Sequence, residues 1–286
     1  MEIGFVYPQT ELGGDPDAVR AIGRATEELG FDHLLAYDHV LGATHADREP
    51  PLWGPYTERD PFHDPFVMFA YLAGMTERIH FATGVLILPQ RQTVLVAKQA
   101  ADLDLLSGGR LRLGVGVGWN YVEYDALGQD FSTRGRRANE QIELLRRLWS
   151  DDLVEFGGEF DAVDRATLIP RPMGPIPVWV GGFSEAAFRR GATLGDGFMY
   201  AGTEDRVMGA LERVRALGAR EVPGFGHDFV ALRTGGAADV AGAAERWSDV
   251  GGTHFSVVSM GLGFDSVDAH LDFMGDVARR LALPGA

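Results

Sequence analysis

Short apolar runs alternate with longer helical stretches along this chain, and the alternation repeats eight times. The runs cover residues 3–7, 33–37, 79–83, 111–115, 178–181, 197–200, 228–232 and 254–258. The helical patterns cover 15–29, 64–74, 93–106, 138–149, 184–194, 204–217, 240–250 and 266–281. The stretch 138–149 shows the logic: Ile142, Leu145 and Trp149 recur at three and four, while Glu140, Glu143, Arg146 and Arg147 lie around the other side. Runs of this buried type, each followed by a helix, mean parallel strands joined by right-handed crossovers. Eight such units predict an α/β fold, a (β/α)8 TIM barrel, ahead of an open doubly wound sheet. The 286 residues suit one barrel of roughly 250 residues with insertions in its βα loops, so 1–286 is expected to form a single domain. Two long irregular segments, 41–63 and 157–177, are expected to carry those insertions and build the rim of the mouth.

Composition removes whole classes of chemistry. With no cysteine there is no disulfide scaffold, no thiolate nucleophile and no cysteine-held metal or cluster. A formal charge of −15 argues against nucleic-acid binding, which needs a basic footprint. No run approaches the roughly 18 apolar residues of a membrane span, and the start lacks a secretory pattern, so a soluble cytoplasmic protein with no membrane partner is expected. The sole lysine, Lys98, sits in a helical pattern away from the strand ends, which disfavours Schiff-base chemistry. The histidines show no metal-ligand spacing, and Asp60, His63 and Asp64 read as a solvated loop cluster, so no metal site is expected.

In a barrel the chemistry lies at the C-terminal ends of the strands. After the second run stands Tyr37-Asp38-His39, either a ligand-binding, proton-exchanging pair or a rim histidine tied into a loop. After the third comes Thr83-Gly84-Val85-Leu86-Ile87-Leu88-Pro89, whose glycine marks a kink against a ligand or merely interrupts a strand. Arg91, just beyond, faces either an anion or a carboxylate. The fourth run leads into Gly114-Val115-Gly116-Val117-Gly118-Trp119-Asn120, which matches neither the dinucleotide fingerprint nor a phosphate-loop motif. Its alternating glycines open a flat slot over the mouth or allow close strand packing. The fifth ends in Gly181-Gly182-Phe183-Ser184-Glu185, an anion site at a helix N-terminus or an ordinary serine cap. Glycine is abundant, 38 residues, nearly twice the usual share of about 7%.

Together these segments resemble the bacterial luciferase-like superfamily of flavin and deazaflavin oxidoreductases over nearly the whole chain. The carriers are Ile3-Gly4-Phe5, ATEELGFD at 25–32, Tyr37-Asp38-His39, the 83–89 run, AKQAADLDLLSGGR at 97–110, the 114–120 run, and VWVGGFSEAAFRRGATLGDGF at 178–198. Order and spacing are far more specific than any one motif. The short chain and the Asp-His pair look most like the branch using coenzyme F420, an 8-hydroxy-5-deazaflavin; FMN is the alternative cofactor. The resemblance implies a deazaflavin across the mouth, with Asp38, His39 and the backbone at Val117, Gly118 and Asn120 on its polar edge. It implies a non-proline cis peptide at Gly84–Val85 against the ring, Ile87 beside it, and the phosphate at Gly181, Gly182, Phe183 and Ser184. His39 matches the position of the family's proton donor, the one catalytic residue expected.

Two departures matter. Trp119 replaces the glutamate of the sugar-phosphate dehydrogenase branch, and Ile87 replaces a cofactor-binding threonine. Both argue against glucose 6-phosphate and toward an apolar or aromatic small-molecule substrate near Trp53, Tyr56 and Trp119. The expected activity is hydride transfer between the deazaflavin and an organic substrate. With reduced FMN and oxygen the same fold would be a monooxygenase. If Trp119 and Ile87 have closed the chemistry, the chain would be a non-catalytic cofactor-binding paralogue. Dimers are usual in this family, so a homodimer is expected.

Overall fold

The computed structural model describes residues 1–219 and 223–286. Its strands are β1 (Glu2–Val6), β2 (His33–Ala36), β3 (His80–Thr83), β4 (Leu86–Ile87), β5 (Leu111–Gly116), β6 (Val154–Gly157), β7 (Ala162–Ala166), β8 (Val178–Gly181), β9 (Gly197–Gly202), β10 (Gly226–Ala231) and β11 (His254–Val258). The helices are α1 (Pro16–Glu28), α2 (Pro65–Ala73), α3 (Thr93–Ser107), α4 (Tyr121–Ala126), α5 (Arg134–Ser150), α6 (Glu185–Leu194), α7 (Glu204–Ala216), α8 (Ala237–Asp249) and α9 (Val267–Arg280). β1, β2, β3, β5, β8, β9, β10 and β11 pair in that order, all parallel, and β11 returns to β1. This closed ring is the expected (β/α)8 barrel. β4 continues the third strand and pairs with β5; the Gly84–Val85 peptide between β3 and β4 is cis.

Local chemistry explains the helix ends. Asp15 and Asp64 cap α1 and α2, each followed by a proline preset for the first turn, and Ser184 and Ser266 cap α6 and α9. α3 stops at Gly108, whose φ of 76° is the left-handed conformation that glycine adopts without steric cost. The apolar residues divide into a continuous layer between strands and helices, and a smaller plug inside the bore made by Val6, Leu35, Ala82, Trp179, Met199, Val230 and Val258.

The structure corrects three sequence expectations. The segment 157–177 is not wholly irregular: β6 and β7 form an antiparallel hairpin. The backbone N–H groups of Glu159, Phe160 and Asp161 donate to the Glu140 carboxylate on α5 at 2.7, 2.9 and 2.8 Å, and Thr93 on α3 donates to Asp161. Those bonds and the packing of Val154, Phe156 and Val163 against the core hold the hairpin to the outer wall. α5 begins at Arg134, not 138, because its first turn, Arg-Gly-Arg-Arg, carries no apolar stripe. α4 is an additional helix after β5, too short for periodicity to reveal.

The bore is closed differently at its N-terminal end. Asp228, fully buried, accepts from Ser256 at 3.0 and 3.1 Å, lies 3.5 Å from Arg112 and 3.8 Å from His33. The Arg112 guanidinium stacks on Trp179, and His254 bonds Glu2 at 2.9 Å. Gly4 makes this possible: a Cβ there would stand 2.0 Å from the His33 ring. Among the described residues no helix is long and apolar enough to cross a membrane.

Candidate active site at the C-terminal mouth

β2 delivers Asp38 and His39 to the mouth. Asp38 is fully buried, and its carboxylate is already committed: it accepts from the Ile87 N–H at 2.9 Å and from Arg91 at 2.6 Å. Arg91 also reaches Asp64, so of its two possible partners the carboxylates are the ones it meets. Burial opposes the Arg91 charge, but Asp38 and Asp64 outweigh it and hold the guanidinium above its ordinary pKa. Asp38 thus ties the end of β2 to β4 and to Arg91.

His39 is the group that remains available. Its Nδ1 lies 3.3 Å from both oxygens of Glu123, while its Nε2 has no hydrogen-bond partner among the described residues. Aromatic edges surround the ring: Phe62 at 4.8 Å, Tyr56 at 5.2 Å and Trp119 at 5.6 Å between centroids. Burial pushes the Tyr56 hydroxyl up to about 12, so it stays protonated and can donate. Trp119 is packed from the other side by the 41–63 loop, since a Cβ on Gly54 would fall 2.3 Å from its ring. Of the three residues expected beside a substrate, Tyr56 and Trp119 gather at His39, whereas Trp53 is 79% exposed and contributes nothing to the box. Sequence reasoning missed Phe62, which lay in a Pro-rich loop without periodicity.

The glycines of the mouth serve the protein's own packing. A Cβ on Gly116 or Gly181 would lie 2.4 or 2.6 Å from the Val85 side chain, one on Gly118 2.9 Å from Ile87, and one on Gly84 2.3 Å from Leu35. Val85 and Ile87 therefore form the floor, seated on strand ends that only glycine leaves low enough. Of the two alternatives for the glycine run, close packing is the one observed. Val117 accepts from the Tyr124 hydroxyl at 2.7 Å, and Asn120 caps α4 through the Val122 N–H.

Gly181 and Gly182 turn into α6, and the Ser184 hydroxyl accepts from Ala187 N–H as an N-cap. Phe183 is exposed, with the Arg206 guanidinium 4.1 Å above its ring. A cleft of about 340 Å³ opens here, lined by Gly182, Phe183, Tyr200, Ala201 and Arg206. Arg134, Arg137 and Arg190 form a second basic corner, their charges all bearing on the buried Tyr124 phenol. Among the described residues none of the three has a carboxylate partner, and Nε of both Arg134 and Arg137 is buried without a hydrogen bond. No cluster of three or more His, Asp or Glu that could hold a metal ion occurs among the described residues.

Glu123 is the largest omission. Its carboxylate is buried and accepts from the Val40 and Leu41 N–H groups at 2.7 and 3.1 Å besides facing His39. The available signal was Asn120-x-x-Glu123 directly after a strand end, which reads as a helix-capping box. In the fold the asparagine caps and the glutamate does not; it turns across to the 39–41 loop.

Comparison with known proteins agrees with this architecture. The sequence model of the luciferase-like monooxygenase family matches residues 1–255, and the chain belongs to that family. It is therefore a luciferase-like oxidoreductase. An uncharacterised protein of Mycobacterium tuberculosis is 36% identical over 211 residues, 71% of this chain and 73% of its own. The F420-dependent glucose-6-phosphate dehydrogenase of Amycolatopsis mediterranei is 32% identical over 203 residues, 70% of this chain and 57% of its own. The crystal structure of the monooxygenase RslO1 from Streptomyces bottropensis superposes with a TM-score of 0.79 at 18% identity, over 99% of each chain.

Proposed function

We propose that this protein transfers a hydride between coenzyme F420 and an apolar or aromatic organic substrate. The observation that carries the reading is the His39 imidazole, with one nitrogen held by Glu123 and the other free inside a box of Tyr56, Phe62 and Trp119. The F420-dependent relative supports the choice of cofactor. The residues present suit such a group: an apolar floor of Val85 and Ile87 for a flat ring, and basic side chains without acidic partners for an anionic tail. In a chain with 41 acidic residues, unpaired half-buried arginines call for an anion from outside. Gly181, Gly182, Phe183 and Ser184 would take its phosphate through backbone amides, with Arg206 alongside.

When bound, the deazaflavin supplies the carbon that gives or takes the hydride. The protein's own part is orientation, exclusion of water and movement of one proton. Trp119, Phe62 and Tyr56 exclude water around His39 and leave no ion pair for a sugar phosphate. Nε2 of His39 is the atom at which a proton is held or released as the substrate oxygen gains or loses charge. Asp38 keeps β2 and β4 in register below this point.

A second reading, an FMN-dependent monooxygenase, has the likeness to RslO1 in its favour. Titration separates the two. Quenching of F420 fluorescence at micromolar cofactor, with weaker binding of FMN, is expected. Micromolar FMN affinity without F420 binding overturns the first reading, and saturating F420 without turnover across a reductase substrate panel favours a non-catalytic role. The protein is further proposed to be a homodimer. α2 is apolar nearly all round, and Val67 and Tyr71 on it, with Val94 and Leu95 on the neighbouring α3, are exposed. A monomeric mass in light scattering would remove that part of the proposal.

A further inference from the structure

The bond between Glu123 and His39 has an asymmetry that a simple structural tie does not need. One carboxylate oxygen, Oε1, accepts both loop N–H groups, Val40 at 2.7 Å and Leu41 at 3.1 Å. Those two bonds already fasten α4 to the loop. The other oxygen, Oε2, accepts from neither backbone group, and both oxygens lie 3.3 Å from Nδ1 of His39, so Oε2 is the one with the imidazole as its sole partner among the described residues. The carboxylate is buried, with side-chain exposure of 2%, so water does not compete for that face. A carboxylate can only accept from the imidazole, so Nδ1 must carry a hydrogen. A neutral imidazole has one hydrogen to place; fixing it on Nδ1 leaves Nε2 bare.

We infer that Glu123 is a positioning residue that selects the Nδ1–H tautomer of His39 and so presents Nε2 as the one nitrogen through which protons come and go. Besides anchoring the loop, Glu123 acts through the imidazole, as the buried acid of a catalytic triad fixes its histidine. The inference rests on the proton role proposed for His39 above, and extends it by naming what sets the ring's hydrogen.

Glu123→Gln separates tautomer control from loop anchoring. The amide oxygen can keep both loop bonds, because turning the amide group round would set its NH2 against two backbone donors. The NH2 then occupies the place of Oε2 and donates to Nδ1, which forces the ring hydrogen to Nε2. Long-range proton–nitrogen NMR on histidine-labelled protein, at a pH where the ring is neutral, distinguishes the two tautomers. The His39 signals are assigned by their loss in His39→Ala.

The expected results are Nδ1–H in the native protein and Nε2–H in Glu123→Gln. In that variant kcat for hydride transfer falls at least about a hundredfold, while cofactor affinity and melting temperature stay near native values. Glu123→Asp, which still only accepts, keeps the Nδ1–H tautomer and recovers part of the turnover. An Nε2–H tautomer in the native protein overturns the inference even if no variant folds. So does an unchanged tautomer in Glu123→Gln, or an inverted one with kcat intact. A native Nδ1–H tautomer that inverts as expected, in a protein that turns over nothing with F420 or FMN, refutes the proposed activity and leaves the tautomer assignment standing.

Discussion

At the N-terminal end of the bore Asp228 faces Arg112, His33 and Ser256, and Glu2 faces His254, so the charged groups answer one another. At the C-terminal end the pairing is incomplete. Asp38 and Arg91 neutralise each other, but His39 keeps a free Nε2, and Arg134, Arg137 and Arg190 have no acid among the described residues. Both ends are built from histidine, arginine and carboxylate, so residue type does not distinguish them. What differs is whether each charged group has a partner of opposite charge. A network of paired charges closes the barrel and stabilises it; unpaired ones are available to something that binds.

Substitutions at the two ends should therefore have opposite signatures. The largest effect is expected from Asp228→Ala, which leaves Arg112 buried without its acid and should cost about 3–5 kcal/mol in a denaturant titration. Cofactor affinity, measured on the fraction that remains folded, should not change. A loss below 1 kcal/mol would mean that the lower network is not a structural closure. His39→Ala should do the reverse, lowering turnover at least about tenfold with an unchanged melting temperature. Equal turnover would remove His39 from the chemistry, and a large drop in melting temperature would make it part of the scaffold.

Ser184→Asp is a finer probe of the upper end. Aspartate caps a helix as well as serine does, so α6 should persist. Its charge opposes an anionic tail at Gly181–Ser184, and cofactor affinity should fall several-fold, by about 1 kcal/mol. Unaltered binding would locate the phosphates elsewhere, with the basic corner at Arg137 as the next place to examine.

Acid gives the smallest and most general contrast. Burial holds His227, at the start of β10, and His270, beside the C-terminal rim, at about 4 against an ordinary 6.5. Between those values the unfolded chain takes up protons that the folded chain refuses, so stability should decline as pH falls from 6.5 toward 4. Glu2 is held at about 2, first by its hydrogen bond to His254. Its contribution is complete above 4.5 and is lost as pH falls toward 2. A melting temperature that stays flat down to pH 4 would contradict the burial of both histidines.

How much of this was legible depended on the range of the interaction responsible. Barrel strands showed because each is a short run flanked by turn residues and followed by an amphipathic helix, all local facts. The β6–β7 hairpin did not show, because its apolar face is only Val154, Phe156 and Val163 and its turn is held by Glu140, some twenty residues away on α5. His39 stood out as a titratable residue at a strand end. Glu123 did not: its spacing from Asn120 satisfies a local rule, and its actual partners lie 82 to 84 positions earlier in the chain. Of the two readings offered for the glycines at the strand ends, the structure shows close packing, with room made for Val85 and Ile87.

The sequence by itself therefore determined the barrel and singled out His39 at a strand end as a candidate. Hydrophobic period, helix caps and glycine content are properties of neighbouring residues, and they need no knowledge of what packs against them. Only the tertiary structure decided which charges are paired. Asp38 and Glu123 are both acids near His39, and whether each points to Arg91, to a backbone N–H or to an imidazole is settled by strands and helices that meet only when the barrel closes. Closure removes water from those groups, and without water a carboxylate must take the donors that the fold brings within reach.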